Sequence, residues 1–142
     1  MDHQASAILA PMGALAALTF LVLMLVPIAR FRAAFAGRVK RDDFKHGESP
    51  RVPGDVTIPN RNYMNLLEVP VLFYVLCLIC YVTHSVDAIV LAFAWTYVTL
   101  RALHSLVHIT YNNVFHRLSI FATSVFLLSA MWIYVYWKMF AG

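Results

Sequence analysis

Four long apolar runs, separated by polar intervals, dominate the pattern along the chain. They fall at about 6–29, 62–82, 86–108 and 118–137. A helix needs about 20 apolar residues to cross the hydrocarbon core of a bilayer, so each run predicts a transmembrane helix. The intervals predict the connections: a long hydrophilic loop at about 30–60, a tight turn at Thr83-His84-Ser85, and a short polar link from Tyr111 to Arg117. Spans joined by so short a turn are antiparallel neighbours. The expected fold is all-α, an integral membrane four-helix bundle forming one domain over 1–142.

Detail within the runs sharpens this expectation. In the first, small residues recur at Ala10, Gly13, Ala14, Ala16 and Ala17, a face on which membrane helices approach closely. The opening Met1-Asp2-His3-Gln4 carries no basic n-region, so the run reads as a retained helix. Arg30 and Arg32 end it, and 32–45 is a candidate for its continuation beyond the membrane surface. Pro50, Pro53 and Pro59 give the loop an extended, turn-rich second half. A lid over polar residues and a solvated linker are both open readings of this loop. For the second helix, Asn60 is a candidate N-cap and Pro59 blocks backward extension, which predicts a start at Arg61. Pro70 predicts a bend just after Glu68. Asp87 suits the N-terminal dipole of the third helix, and Trp132, Tyr134, Tyr136, Trp137 and Lys138 form an interfacial belt ending the fourth.

Composition agrees with a membrane protein: 61% of residues are hydrophobic and the mean hydropathy is +0.71. The net charge of +4 is concentrated, since eight of the eleven Lys and Arg lie between Arg30 and Arg61. That is the positive-inside signature beside anionic headgroups, not a nucleic-acid footprint. It places the 30–60 loop in the cytoplasm, returns His116 and Arg117 to the same side, and leaves both termini opposite. The small size and the absence of sorting signals fit a bacterial inner membrane. Cys77 and Cys80 form CxxC within an apolar helix, where a redox pair lacks its usual accessible helix N-terminus. They read as small core or lipid-facing residues.

The candidate chemistry lies on two helices. Arg61, Asn65 and Glu68 are spaced i, i+4, i+7 and share one helical face. Charged groups inside a membrane segment face a protein interior or a wet cavity. Arg101, His104 and His108 share a face of the third helix and, by topology, the same half of the membrane. With Arg30 ending helix one and Arg117 opening helix four, all four helices bring polar groups to one level. One binding site explains this better than an internal ion pair. Arginines recognise carboxylates or phosphates, Glu68 takes an ammonium or orients an Arg, and Asn65 both donates and accepts. The set fits a small zwitterionic, net anionic molecule, with the bilayer giving access to an apolar second ligand. His104 and His108 have metal-ligand spacing, with His116 or Glu68 as a third donor. The surrounding arginines argue against a cation, so no metal is expected and the imidazoles read as buried hydrogen-bond partners or a general acid or base. Tyr97 and Tyr111 read as packing or interface residues.

The motif Arg61-x-x-x-Asn65-x-x-Glu68 followed by Pro70, then Arg101-x-x-His104, resembles the MAPEG superfamily, membrane-associated proteins in eicosanoid and glutathione metabolism. The resemblance covers the chain from Arg30 to the last helix. It implies a four-helix protomer, a homotrimer, and glutathione bound as cosubstrate between protomers. By this resemblance Arg61, Asn65 and Glu68 are glutathione-binding, Arg30 matches a basic position ending helix one, and Arg101 and His104 match the helix-three motif. An arginine near the start of helix four, or a tyrosine nearby, stabilises the thiolate in catalytic members, a role for which Arg117 is the first candidate and Arg30 the second. His104 and His108 stand where several members carry tyrosines, Val69 where some have a ligand-contacting tyrosine, and Arg117 about two residues beyond the expected arginine.

The implied function is a membrane-embedded glutathione transferase or peroxidase. It adds the thiolate to a lipophilic electrophile or reduces a lipid hydroperoxide. A thiol of pKa about 8.5 is mostly protonated at neutral pH, and a fixed cation lowers that pKa. His104 is a further catalytic candidate, His108 lies with the binding residues, and Arg101 reads as structural, paired with Glu68 or a ligand carboxylate. The alternative is a non-catalytic lipid-binding or scaffold protein of the same family. An intramembrane proton pathway is disfavoured because the strong charges occupy one half of the bilayer.

Overall fold

The computed structural model describes residues 3–141, with side chains from Ala5 onward. Its helices are α1 (His3–Ser6), α2 (Leu9–Phe35), α3 (Gly54–Leu67), α4 (Pro70–Val82), α5 (Ala88–Ile109) and α6 (Val114–Phe140). The pair α3 and α4 makes one bent span, Gly54–Val82, and with α2, α5 and α6 gives four helices long and apolar enough to cross a membrane. At 1.5 Å per residue, helices of this size reach roughly 33–44 Å, beyond the hydrocarbon thickness of about 30 Å. The closest neighbours are α5 with α6 and α2 with α3. Large apolar side chains cover the outside: Phe20, Leu21, Phe126 and Ile133 are each more than 60% exposed. On a water-soluble surface such a belt would be a liability; in lipid it is the expected exterior.

Inside, Leu15, Leu66, Phe73, Leu76, Val90 and Met131 pack into one cluster with Tyr97. Phe73 and Tyr97 stack at 4.8 Å between ring centroids. Cys77 and Cys80 are fully buried there as free thiols, which settles their two sequence readings in favour of core residues. In lipid the cluster gains from close packing more than from water exclusion.

The helix limits differ from expectation where capping or local packing overrides the pattern. Helix α2 continues past Ala29 to Phe35 and stops at Ala36 and Gly37, the glycine at φ +67. The second span begins at Gly54, not Arg61, and carries Pro59 inside it. The proline leaves only the Asp55 carbonyl without its helical donor. Burial of Val56 with Ala33, Val39 and Val52 in a second small cluster offsets that loss. Helix α6 begins at Val114, not Leu118, because the Asn113 side chain accepts from the His116 amide at 3.1 Å. At the other end of the bundle Asp87 caps α5 through the Val90 amide at 2.8 Å. It also pairs with Lys138 and accepts from Tyr134. The bend falls as predicted: α3 ends at Leu67 and α4 starts with Pro70 at its first turn.

The connection between α2 and α3 is ordered. The Asp43 carboxylate accepts from the Lys40 amide at 2.8 Å and the Ser49 hydroxyl at 2.9 Å, and pairs with Arg51. These bonds hold the Asp43 carboxyl below the usual carboxylate range, the Lys40 amide contributing most. Arg38 clasps Asp55 through two hydrogen bonds. The linker is therefore packed against the ends of α2 and α3, and it does not line the cleft described next.

Candidate functional site

The break between α3 and α4 organises the site. Pro70 has no amide proton, and the chain leaves the helical region at Glu68 (φ −83, ψ −96). The last carbonyls of a helix lack intrahelical donors. One of these, the Asn65 carbonyl, accepts from Arg101 Nη2 at 2.7 Å. Arg101 is completely buried, and its guanidinium carbon lies 5.4 Å from the centre of the Phe121 ring. A cation at a helix C-terminus also opposes the negative end of the helix dipole. Arg101 thus closes α3 rather than pairing with Glu68: no salt bridge joins the two among the described residues.

Asn65 also borders a cleft of about 460 Å³. Helix α3 brings Arg61, Asn65 and Glu68 to it, α5 brings His104 and His108, and α6 brings Arg117. Six of the eight expected site residues therefore meet on one surface. Asn65 donates its side-chain amide to the Arg61 carbonyl at 2.9 Å, which leaves its amide oxygen open to a ligand. The two imidazoles stand edge to face at 5.7 Å, each 2% exposed. Neither ring nitrogen of His108, nor Nδ1 of His104, has a protein partner. Arg117 donates from Nη1 to the Asn112 side-chain oxygen at 2.6 Å.

Arg101 and Arg30 are not brought to this surface. Arg101 is buried against the Asn65 carbonyl and does not line the cleft. Arg30 hydrogen-bonds and pairs with Glu48 at 3.1 Å and lies over the Phe44 ring at 4.8 Å, tying the end of α2 to the linker. Phe121, Leu118 and Met64 supply an apolar wall that sequence reasoning did not single out. Phe121 is one helical turn beyond Arg117, and that i, i+4 spacing was the available signal. Asn62, fully buried beside Arg61, does not line the cleft.

Two features decide what the cleft can do. Its charge is positive, with Arg61 and Arg117 on its wall against Glu68 alone. Glu68 is exposed, although it lies in the interior of a membrane span. It stands 14 residues before Val82. At the helical rise that is roughly 21 Å from the far end of the span, well inside a core of about 30 Å. Such a carboxylate is not left facing lipid. The cleft is suited to a polar anion held by its wall and to an apolar molecule arriving from the bilayer.

A model of the MAPEG family matches residues 8–137. No match was found among curated proteins or among solved structures.

Proposed function

Because the chain belongs to the MAPEG family and is a multi-pass membrane protein of glutathione and eicosanoid metabolism, we propose that it is a glutathione-dependent transferase or peroxidase. The observation that carries this reading is the convergence of Arg61, Asn65, Glu68 and Arg117 on one cleft beside two unpartnered histidines. Arg61 takes a carboxylate of the tripeptide, Glu68 its ammonium, and Asn65 a peptide group. Arg117 lies near the sulfur and favours the thiolate, the nucleophilic form. In the transferase reaction the thiolate forms a carbon–sulfur bond, and the charge left on the electrophile takes up a proton. In the peroxidase reaction the sulfur attacks the peroxide oxygen and alkoxide leaves as the alcohol. A second glutathione then reduces the sulfenic acid to disulfide and water. His104, with an imidazole able to donate and accept, serves the proton transfers, and His108 contacts the bound peptide.

The assembly is a homotrimer. The exposed Glu68 supports it, since a neighbouring copy would cover a charge that otherwise meets lipid. Arg30, held away from its own chain's cleft, acts only at a cleft of the adjacent copy. The protein resides in a bacterial inner membrane, with the α2–α3 linker cytoplasmic and both termini opposite, an orientation that the positive-inside distribution supports.

The test is an ultraviolet difference titration of the purified protein with glutathione, in a Cys77→Ser/Cys80→Ser background. A saturable thiolate band at neutral pH is expected. A second reading, a non-catalytic lipid-binding scaffold, draws on His104, His108 and Val69 standing where catalytic relatives carry tyrosines. Calorimetric binding without a thiolate band would favour it, and no binding by either method would remove the glutathione assignment.

A further inference from the structure

The connection from α5 to α6 contains two asparagines with different tasks. Asn113 opens α6: its side chain accepts from the His116 amide, and its carbonyl from the Arg117 amide. Asn112 closes α5: its backbone amide donates to the Val107 carbonyl at 2.8 Å, and its φ is +47. Positive φ at a helix C-terminus selects glycine first and asparagine second. The turn therefore needs no side chain at this position. Yet the Asn112 side-chain oxygen accepts from Arg117 Nη1 at 2.6 Å, the shortest hydrogen bond Arg117 makes.

We propose that Asn112 is a positioning residue, whose amide oxygen holds the Arg117 guanidinium at the cleft so that its charge acts on the bound thiol. This rests on reading Arg117 as the thiolate-stabilising cation. Arg117 sits in the first turn of α6, where the helix dipole repels a cation. Its flexible stem also favours solvent over one fixed place. A tether is needed, and its chemistry matters. A carboxylate would hold the guanidinium equally well but cancel its field at the sulfur. A neutral amide oxygen holds it and leaves the charge intact. The other charged or titratable groups facing this point are Arg61 and Glu68 from α3, His104 and His108 from α5, and His116, whose Nδ1 is taken by the Tyr111 hydroxyl. None of these restrains Arg117.

The experiment compares Asn112→Gly, Asn112→Asp and Arg117→Ala in the full-length protein in detergent. Thermal unfolding, calorimetric affinity for glutathione, and the pH titration of its thiolate band are read in parallel. Glycine keeps the positive-φ turn and removes only the tether. We expect an unchanged thermal midpoint, near-parental affinity, and a thiol pKa raised by about half a unit, roughly threefold less thiolate below the pKa. Aspartate keeps the hydrogen bond and adds the opposing charge, so its pKa rises further, by about one unit or roughly tenfold. Should glycine lower the midpoint, the aspartate variant decides. If Arg117→Ala raises the thiol pKa while both Asn112 variants titrate as the parent does, the positioning role is wrong and the Arg117 reading stands. If Arg117→Ala leaves the band unchanged, the Arg117 reading fails and the role of Asn112 falls with it.

Discussion

Arg117→Ala gives the sharpest quantitative expectation. A cavity of about 460 Å³ has the volume of a sphere roughly 5 Å in radius. A sulfur near its middle therefore lies about 6 Å from the guanidinium carbon of an arginine on the wall. At an effective dielectric constant near 20, suited to a half-buried pair, the attraction of thiolate to cation is about 2.8 kcal/mol. That corresponds to about two pKa units. A thiol of pKa about 8.5 would then titrate near 6.5 and be roughly three-quarters ionised at pH 7, against about 3% without the cation. Contributions from Arg61, Glu68 and the histidines enter parent and variant alike, so the difference between the two titrations isolates Arg117. The variant should need about two pH units more to develop the same band. Its glutathione affinity should change far less, because Arg61, Asn65 and Glu68 remain. Arg117→Lys should recover part of the shift, as a point charge on a differently shaped stem. A variant titrating within about 0.3 units of the parent would refute the reasoning: Arg117 would then line the cleft without acting on the sulfur.

Two further predictions concern the ends of the bundle. Asp87 caps α5, accepts from Tyr134 and pairs with Lys138, so Asp87→Ala should cost about 2–3 kcal/mol from a cap near 1, a hydrogen bond near 1 and a partly exposed ion pair below 1. Asp87→Asn, which keeps the cap, should cost less than half of that in thermal unfolding in detergent; equal losses would show that the cap contributes nothing. Burial alone would raise the Asp87 carboxyl, but its bonds from Lys138, Val90 and Tyr134 outweigh this and hold it low. Asp43 is likewise depressed. A carboxyl depressed on folding stabilises fully above its unfolded pKa and loses that contribution as the pH falls through its folded value. The linker should therefore loosen only in acid, and Asp43→Asn should reproduce the loosening at neutral pH. Amide hydrogen exchange at Ser49, whose backbone amide donates to the Asp43 carbonyl at 2.9 Å, reads this directly; unchanged protection would count against it.

The legible parts of the chain were those governed by local pattern. Apolar runs of membrane length announce spans, and the i, i+4, i+7 spacing put Arg61, Asn65 and Glu68 on one face, where they are found. Pro70 marked the break after Glu68 because a missing amide proton acts within its own turn. Pro59 misled for the complementary reason. Its local cost was visible, whereas the burial of Val56 against Ala33, Val39 and Val52 depends on distant residues. The same holds for the arginines. Sequence assigned Arg30 and Arg101 to the same site as Arg61, but their partners, Glu48 and the Asn65 carbonyl, lie 18 and 36 positions away. Helix α6 starts early because Asn113 caps it, an N-cap signal that lies inside the polar link from Tyr111 to Arg117.

The seat of Arg101 also bears on how the protein enters its membrane. An arginine near the centre of a span raises the free energy of insertion by about 2.5–3.5 kcal/mol when the helix partitions alone. Here the guanidinium is satisfied by a carbonyl that exists as a free acceptor only because the preceding span is broken beside it. The second and third spans are joined by a connection of only five residues, 83–87. They are therefore matched as a hairpin: the defect in one is the solvation site for the charge in the other. Delivered together they bring a compensated pair into lipid, whereas the third span on its own would carry a bare charge across the bilayer interior.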